Sequence, residues 1–309
     1  MRKARFKSFE ISKLVLGTAQ FGMAYGVSNR AGQPSYGVIR EMLATAFEKG
    51  VNALDTATAY GYSEGILGRA LQELGLTDRA FIITKVPTIP SGGSEARHFV
   101  ADVVARSLEN LRIECLPLCL LHHADDLPQL ESLLALKEKG WLRHAGVSVY
   151  SPEEALQALS TPGVDAIQLP SSVLDQRFLR ANVFARAQDQ DVALFVRSVF
   201  LQGLLFLPEE RVPAPLKTLL PARERLLNLA AGLKISLAEL ALRFASSLSG
   251  ATAIVVGMET SRQLEANLRV FDRAELTQET LESIASIVPD LPATVLDPRL
   301  WPLSPTESH

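Results

Sequence analysis

The feature of this sequence that most constrains its fold is a repeated alternation of short apolar runs with longer amphipathic segments. Short continuous apolar runs are typical of buried strands, and apolar residues at intervals of three and four are typical of helices. The predicted strands are Leu14–Gly17, Ala53–Asp55, Ala80–Lys85, Leu116–His122, His144–Ser148, Ala166–Leu169, Ala193–Val196 and Ala253–Val256. The predicted helices are 36–49, 63–74, 94–111, 127–139, 152–159, 178–189, 218–231 and 260–270.

Strands that are separated by helices pair in parallel, because two parallel neighbours need a long crossover connection. The chain has 309 residues, which is enough for one large domain or two small ones. Eight repeats of the alternation favour closure into a (β/α)8 TIM barrel, with an open doubly wound sheet as the alternative. We therefore expect an α/β protein with a single domain over 1–309 and a barrel core at about 14–271.

Three segments interrupt the alternation. Residues 198–217 form a long, proline-containing connection after the seventh strand, and a long loop at that end of a barrel often serves a ligand. Segment 236–247 predicts a helix in addition to the eight. Residues after Pro289 are rich in proline, so we expect an irregular C-terminal tail over about 289–309.

Charge and cysteine content exclude several classes of function. The 31 Lys and Arg side chains against 34 Asp and Glu give a formal net charge of −3, with no block of like charges to bind nucleic acid or an anionic membrane. No apolar run is long enough to span a bilayer, and no secretory signal follows the basic N terminus. Cys115 and Cys119 are too few for a disulfide framework. We expect a cytoplasmic protein whose partner is a small molecule.

Four polar residues fall at or just after the ends of predicted strands, where barrels carry their catalytic groups. Asp55 ends the second strand, Tyr60 follows five residues later, Lys85 ends the third strand and His122 ends the fourth. A free tyrosine is a poor acid at neutral pH, but a neighbouring lysine lowers its pKa and a carboxylate fixes the lysine. A neutral histidine can donate a hydrogen bond to a substrate oxygen. Together the four residues predict proton-transfer chemistry.

Taken singly, each of these residues also has a purely structural interpretation, such as a turn cap or a packed aromatic. Adjacent histidines on a strand point to opposite faces, so at most one of His122 and His123 should face the barrel mouth. The run 122–126 resembles a metal site, but no further His or Cys ligands lie nearby, and we expect no metal.

In their order along the chain, these residues resemble the aldo-keto reductase family. Segment 55–68, DTATAYGYSEGILG, is similar to the family signature around its catalytic Asp and Tyr. Residues 84–85 resemble the strand of the catalytic lysine, and 120–125 resemble the histidine segment, in which the first histidine is catalytic. Further matches to the family's cofactor positions are Gly146–Ser148, Gln168, Arg197–Leu204 and Gly257–Asn267. The resemblance extends from about Leu14 to Phe271.

The resemblance implies an oxidoreductase that moves hydride between a nicotinamide cofactor and an aldehyde or ketone, or the corresponding alcohol. Tyr60 would be the general acid and base, Lys85 paired with Asp55 would lower its pKa, and His122 would orient the carbonyl. The residues implied to bind the cofactor are Gly17, Thr18, Ser148, Gln168, Arg197, Ser198, Leu201, Gly203, Gly257, Met258, Glu259, Gln263, Glu265 and Asn267.

Two of these implied roles depart from the usual family pattern. Ser148 and Gln168 would hold the nicotinamide carboxamide, but Val149 stands where the family often has Asn, which removes one polar contact. Arg197 stands where many members stack an aromatic ring on the nicotinamide, and a guanidinium can stack in the same way.

Glu259 bears on the choice between the two nicotinamide cofactors. Relatives that use NADPH commonly have Lys or Arg at the position of Gly257 or Glu259. A carboxylate there would repel a 2′-phosphate and accept hydrogen bonds from a 2′-hydroxyl, as acidic residues do in other folds. Arg262 would have the opposite effect if it turned inward. The implied cofactor is NAD(H) or NADP(H), and NAD(H) is favoured.

The expected mouth of the barrel mixes polar and aromatic groups from Thr18–Tyr25, Tyr62, the loop after Lys85 and 198–217. Such a lining suits a sugar-like aldehyde as well as an apolar ketone. Two other functions stay open. A cofactor-binding regulatory subunit that senses nicotinamide redox state would keep the same four residues. A barrel lyase or isomerase would use Lys85 as a Schiff base, although the spacing of Asp55 and Tyr60 argues against it.

Overall fold

Eight parallel strands close into a barrel in the computed structural model, which describes residues 1–29, 32–90 and 93–301. An antiparallel hairpin of β1 (Lys3–Phe6) and β2 (Phe9–Ser12) precedes the barrel. The barrel strands are β3 (Leu14–Gly17), β4 (Ala53–Asp55), β5 (Phe81–Val86), β6 (Leu116–Leu121), β7 (Leu142–Ser148), β8 (Ala166–Pro170), β9 (Ala193–Arg197) and β10 (Ala251–Gly257). Strand β10 pairs with both β9 and β3, which closes the barrel. The predicted α/β barrel class is therefore confirmed.

Helices surround the barrel and alternate with its strands. Their bounds are α1 (Ala19–Gly22), α2 (Tyr36–Glu48), α3 (Ser63–Glu73), α4 (Gly93–Leu111), α5 (Leu130–Glu138), α6 (Pro152–Leu159), α7 (Arg177–Arg180), α8 (Val183–Asp189), α9 (Leu220–Gly232), α10 (Leu237–Ser246), α11 (Ser261–Phe271), α12 (Gln278–Ile287) and α13 (Ala293–Leu296). Within the described ranges, no helix has the length and apolar character needed to cross a membrane.

The apolar side chains form two layers, because the parallel strands are covered on both faces. The outer layer lies between the strands and the surrounding helices. The inner layer fills the barrel and includes Val15, Ile83, Leu118 and Phe195. Strands with two buried faces read as continuous apolar runs, which explains why their positions follow from the sequence.

The hairpin of β1 and β2 was not predicted. It closes the amino end of the barrel, where Phe6 is 2% exposed. The ring of Phe6 meets the edges of Phe81 at 5.6 Å and Phe195 at 5.8 Å between ring centres, and Phe9 packs against Phe81 at 5.0 Å. The hairpin therefore acts as a plug at the end of the barrel away from the strand carboxyl ends.

Two expected elements are corrected by the structure. The single helix predicted over 178–189 is divided into α7 and α8, because Asn182 has a left-handed backbone with φ of 57°. The expected irregular tail contains α13 and a 3₁₀ turn over Pro298–Leu300, and the Trp301 indole donates a hydrogen bond to the Val295 carbonyl at 3.0 Å. Residues 302–309 of that tail lie outside the described residues. Helix α12 was also not predicted.

Replacement of Phe6 by alanine tests the plug. We expect a loss of about 3–5 kcal/mol of unfolding free energy, because the substitution leaves a cavity among packed aromatic rings. Equilibrium urea unfolding measures the change. Leu227→Ala is the control, since Leu227 is 46% exposed and its truncation should cost about 0.5 kcal/mol or less. A cost for Phe6→Ala as small as that of the control would mean that the hairpin does not support the barrel.

Candidate active site

A cavity of about 400 Å³ opens at the carboxyl ends of the barrel strands. The segment after β3, the start of the loop after β9, and the end of β10 with the first turns of α11 form its walls. Asp55 and Tyr60 also line it. The cavity is therefore at the end of the barrel where the sequence analysis expected the chemistry.

Asp55 and Lys85 form a buried ion pair at this end. The Lys85 ammonium donates hydrogen bonds to the Asp55 carboxylate at 2.7 Å and to the Thr56 carbonyl at 2.8 Å, and the two charged side chains are 1% and 5% exposed. The Gln168 amide donates to the same carboxylate oxygen, also at 2.7 Å. Removing two charges from water is costly, so each must be satisfied by its partner and by further hydrogen bonds.

Tyr60 is held in place by the turn that follows β4. Its N–H donates to the Ala57 carbonyl at 3.0 Å, and its carbonyl accepts a hydrogen bond from the Ser63 N–H at 3.1 Å. Gly22 passes so close that a side-chain carbon at this position would lie 1.8 Å from the Tyr60 carbonyl oxygen. Any other residue at position 22 would thus displace Tyr60.

The pKa of Tyr60 is raised, whereas the sequence analysis expected Lys85 to lower it. Burial raises the pKa of Tyr60 above its ordinary value, and the Asp55 carboxylate raises it further, whereas Arg197 opposes the shift. Lys85 lies 5.2 Å from the centre of the Tyr60 ring, but its charge is compensated by Asp55 at 2.7 Å. In this arrangement Tyr60 is a neutral phenol at neutral pH, which is the form that can donate a proton.

His122 follows β6 and turns its ring toward Tyr60, at 6.0 Å between ring centres and an interplanar angle of 80°. Burial, reinforced by the charge of Lys85, lowers the pKa of His122 to about 3, so the ring is neutral at physiological pH. The expectation that His122 and His123 point to opposite faces is wrong, because their rings stack at 5.1 Å. Strand β6 ends at Leu121, so the alternation of a strand no longer applies to them.

The residues implied to bind the cofactor divide into two groups. Those that line the cavity are Gly17, Thr18, Arg197, Ser198, Gly203, Gly257, Glu259, Gln263 and Asn267. The others lie away from its surface: Ser148, Gln168, Leu201 and Met258 are buried at 1% exposure, and Glu265 is exposed on α11 opposite Arg269, at 3.9 Å. Tyr62, expected at the mouth, is 81% exposed and not part of the cavity lining.

Gln20 lies in the Thr18–Tyr25 segment that was expected at the mouth, but the sequence analysis gave it no role of its own. Its side chain lines the cavity and is 7% exposed, yet its Oε1 has no hydrogen-bond partner among the described residues. A buried acceptor without a donor costs free energy that a bound ligand can recover. The Gln20 amide also packs against Gly257, where a side-chain carbon would lie 2.7 Å from its nitrogen.

The residues that line the cavity suit a nucleotide cofactor. Besides the unpaired oxygen of Gln20, it contains the amino end of α11, where the positive end of the helix dipole favours a phosphate. Its volume is within the range of ligand pockets. No three His, Cys, Asp or Glu side chains in residues 1–29, 32–90 and 93–301 are grouped as ligands for a metal ion.

Comparison with known proteins assigns a family to this arrangement. The sequence model of the aldo/keto reductase family matches residues 13–289. The chain therefore belongs to the aldo/keto reductase family, whose members are nicotinamide-dependent oxidoreductases of carbonyl compounds and alcohols.

The sequence of this chain is also similar to those of individual proteins. The chain is 36% identical to D-arabinose 1-dehydrogenase of Saccharomyces cerevisiae over 157 residues, which is 47% of this chain and 45% of that protein. It spans about half the length of curated relatives of this kind. It is also 24% identical to a probable voltage-gated potassium channel subunit beta of Arabidopsis thaliana, over 93% of this chain and 98% of that protein.

A solved structure shares the fold over nearly the whole chain. The holo form of an aldo-keto reductase from Bacillus halodurans aligns with a TM-score of 0.79 and 24% identity, covering 97% of this chain and 100% of that chain. At this level of identity the similarity supports the fold alone.

The neutral state of His122 leads to a prediction for its titration. Its NMR ring signals should not shift between pH 8 and pH 5, because its pKa in the folded protein is about 3. An unfolded histidine binds a proton below about pH 6.5. This residue therefore contributes to a loss of stability as the pH falls from about 6.5 toward 3. His122→Gln assigns the signals by their disappearance, and a midpoint near pH 6.5 would contradict the burial of the ring.

Proposed function

We propose that this chain is an NAD(H)-preferring oxidoreductase that transfers hydride between the cofactor and an aldehyde or ketone carbon, or the corresponding alcohol, of a sugar-like small molecule. The observation that carries the proposal is the arrangement of Tyr60 at the cavity, beside a neutral His122 and the buried pair of Lys85 and Asp55. The similarity of half the chain to a D-arabinose dehydrogenase supports a hydroxylated substrate.

The residues of this chain have separate tasks in the proposed reaction. When bound, the nicotinamide cofactor supplies or accepts the hydride. The Tyr60 hydroxyl donates a proton to the carbonyl oxygen during reduction, and the neutral ring of His122 orients that oxygen by a hydrogen bond. The pair of Lys85 and Asp55 fixes the floor of the site beside the phenol. The residues that would hold the cofactor are the cavity-lining set Gly17, Thr18, Gln20, Arg197, Ser198, Gly203, Gly257, Glu259, Gln263 and Asn267.

The protonation state of Tyr60 matters differently for the two directions of the reaction. The neutral phenol serves as the acid in reduction, whereas oxidation of an alcohol requires the phenolate as base, and burial disfavours the phenolate because it raises the pKa of Tyr60. We therefore expect turnover in the oxidative direction to rise with pH through the alkaline range.

Tyr60→Phe tests the proposed general acid. We expect turnover with aldehydes such as glyceraldehyde to fall by about 10²–10⁴-fold, because the variant lacks the proton donor. Fluorescence titration with NADH should give an unchanged dissociation constant, since the hydroxyl is replaced without loss of the ring. Retained activity would contradict the role of Tyr60.

The proposed preference for NAD(H) is supported by Glu259. Its side chain lines the cavity at the amino end of α11 and accepts a hydrogen bond from Gln263 at 3.5 Å, while Arg262 is exposed and not part of the lining. Among the described residues that line the cavity, the one Lys or Arg is Arg197, at the Tyr60 end. A 2′-phosphate near Glu259 would thus meet a carboxylate and no cationic side chain of the described lining, so that the amino end of α11 alone would attract it.

Parallel titrations with NADH and NADPH test this preference. The wild type should bind NADH more tightly, and Glu259→Gln should shift the affinity ratio toward NADPH by about 5- to 10-fold, since removal of one repulsive charge near a phosphate is worth about 1 kcal/mol. Glu279→Gln, an exposed change on α12, is the control. Tighter binding of NADPH by the wild type would overturn the preference.

A second candidate function is a cofactor-binding regulatory subunit. The specific observation in its favour is the similarity, over nearly the full length, to a probable beta subunit of a potassium channel. The two functions predict different turnover for the unsubstituted protein in the Tyr60→Phe experiment. A regulatory subunit would turn over every carbonyl very slowly before the substitution and would form a stable complex with a partner protein. For either function, we propose that this chain is located in the cytoplasm, because both of its cysteines are free.

A further inference from the structure

A smaller pocket of about 180 Å³ adjoins the main cavity, and we call it the side pocket. Its walls include Tyr25, Tyr150, Arg197, Gln202 and Arg299. Tyr25, Arg197, Ser198 and Gln202 line both spaces, so the side pocket shares a wall with the main cavity, which Tyr60 also lines. Two of its residues come from parts of the chain to which the sequence analysis gave no role: Tyr150 just after β7, and Arg299 in the 3₁₀ turn near the C terminus.

The charges on this pocket are of one sign. Two guanidinium groups line it, and no Asp or Glu does so among the described residues. Arg197 donates to the Ser198 hydroxyl at 3.1 Å and to the Val149 carbonyl at 3.0 Å. Within the described ranges it makes no ion pair with a carboxylate, so its positive charge is uncompensated by direct contact.

Arg299 is fixed from one side only. Its Nε and Nη2 donate to the Asp297 carboxylate at 3.0 and 2.7 Å, and that carboxylate is 7% exposed. Its Nη1 has no hydrogen-bond partner in the part of the chain that the structure describes. Because Arg299 is 43% exposed and its position is set by a buried carboxylate, the remaining N–H groups are available to a ligand.

Tyr150 holds the two arginines in one arrangement. The guanidinium carbon of Arg197 lies 4.2 Å from the centre of the Tyr150 ring, and that of Arg299 lies 3.5 Å from it. Contacts of a cation with a ring face are attractive, and they bring two like charges to a single ring. An anion in the pocket that both arginines line would be attracted by both charges.

We propose that the side pocket binds an oxyanion, a carboxylate or a phosphate, that the substrate carries on the part of the molecule away from its carbonyl group. This inference rests on the proposed function, since it assigns the chemical class of the substrate: an acidic aldehyde or ketone. Guanidinium groups match the planar fork of carboxylate oxygens and the oxygens of phosphate, and such charge-assisted hydrogen bonds are about twice as strong as neutral ones.

The position of the pocket explains why it would select substrates without taking part in the chemistry. Arg197 and Tyr60 line the same cavity, so an anion on Arg197 and Arg299 would belong to the same molecule as the reacting carbonyl. We expect this contact, which touches no reacting atom, to bind substrate and transition state equally. Its loss would then raise KM and leave kcat unchanged.

The test compares carbonyl substrates that differ only in charge. We expect 4-oxobutanoate to have a KM at least about tenfold lower than its neutral methyl ester, at similar kcat, as the loss of a hydrogen-bonded charge predicts. Glyceraldehyde 3-phosphate is compared with glyceraldehyde in the same way. The pair with the larger difference identifies carboxylate or phosphate as the natural anion. Equal KM values within both pairs would overturn the proposal.

Variants of Arg299 locate the effect in the side pocket. The combined change Asp297→Asn and Arg299→Gln removes the arginine without leaving a buried carboxylate unpaired, and it should abolish the preference for the anion through KM alone. Arg299→Lys keeps a positive charge and should retain part of the preference. Arg186→Met is the matched control, because Arg186 is exposed on α8 away from the cavity. A preference that survives the combined change would overturn the assignment.

Direct binding separates this inference from the proposed function. Isothermal titration of the protein with glutarate, and separately with inorganic phosphate, should show binding to the wild type and about a tenfold or greater loss in the combined variant. If no carbonyl is reduced but glutarate or phosphate still binds in this pattern, the proposed function fails and the anion site stands. If aldehydes are reduced but neither anion binds the wild type, the anion site is overturned alone.

Discussion

The ion pair of Lys85 and Asp55 is the interaction on which the rest of the site depends. Both charges are removed from water, so the pair is stable only while its geometry and its added hydrogen bonds are preserved. Asp55 and Lys85 come from the adjacent strands β4 and β5. Gln168, which donates a hydrogen bond to Asp55, comes from β8 on the other side of the barrel. Closure of the sheet is thus a condition for the hydrogen bond from Gln168 to the Asp55 carboxylate.

That pair also explains why the electrostatics of Tyr60 differ from the simple expectation. The sequence indicates a lysine near a tyrosine, and the general rule is that the cation lowers the pKa of the phenol. The structure adds that the cation is neutralised by a carboxylate in direct contact and that the phenol is buried, so that desolvation dominates. The positions of strand ends predicted that Asp55, Tyr60 and Lys85 lie close together. They did not predict how deeply these side chains are buried.

The sequence predicted some elements of the fold and missed others. The barrel strands lie within three residues of their predicted bounds, because strands buried on both faces are apolar throughout. The hairpin of β1 and β2 was missed because its strands are short and carry exposed charges such as Lys3 and Arg5. The side pocket was missed because Tyr150, Arg197 and Arg299 are far apart in the chain and form no motif. The turn that contains Arg299 was missed because its proline-rich sequence predicted an irregular tail.

The plug at the amino end of the barrel has a kinetic consequence. With that end filled by the rings of Phe6 and Phe9, the cavity communicates with solvent through the opposite mouth. Two molecules that occupy it together must both pass through this end of the barrel, so the deeper of them is obstructed while the other is present. Entry and departure are then coupled in sequence, with the last molecule to arrive the first to go. A short aromatic hairpin on the far side of the protein would in this way impose an order on binding at the mouth.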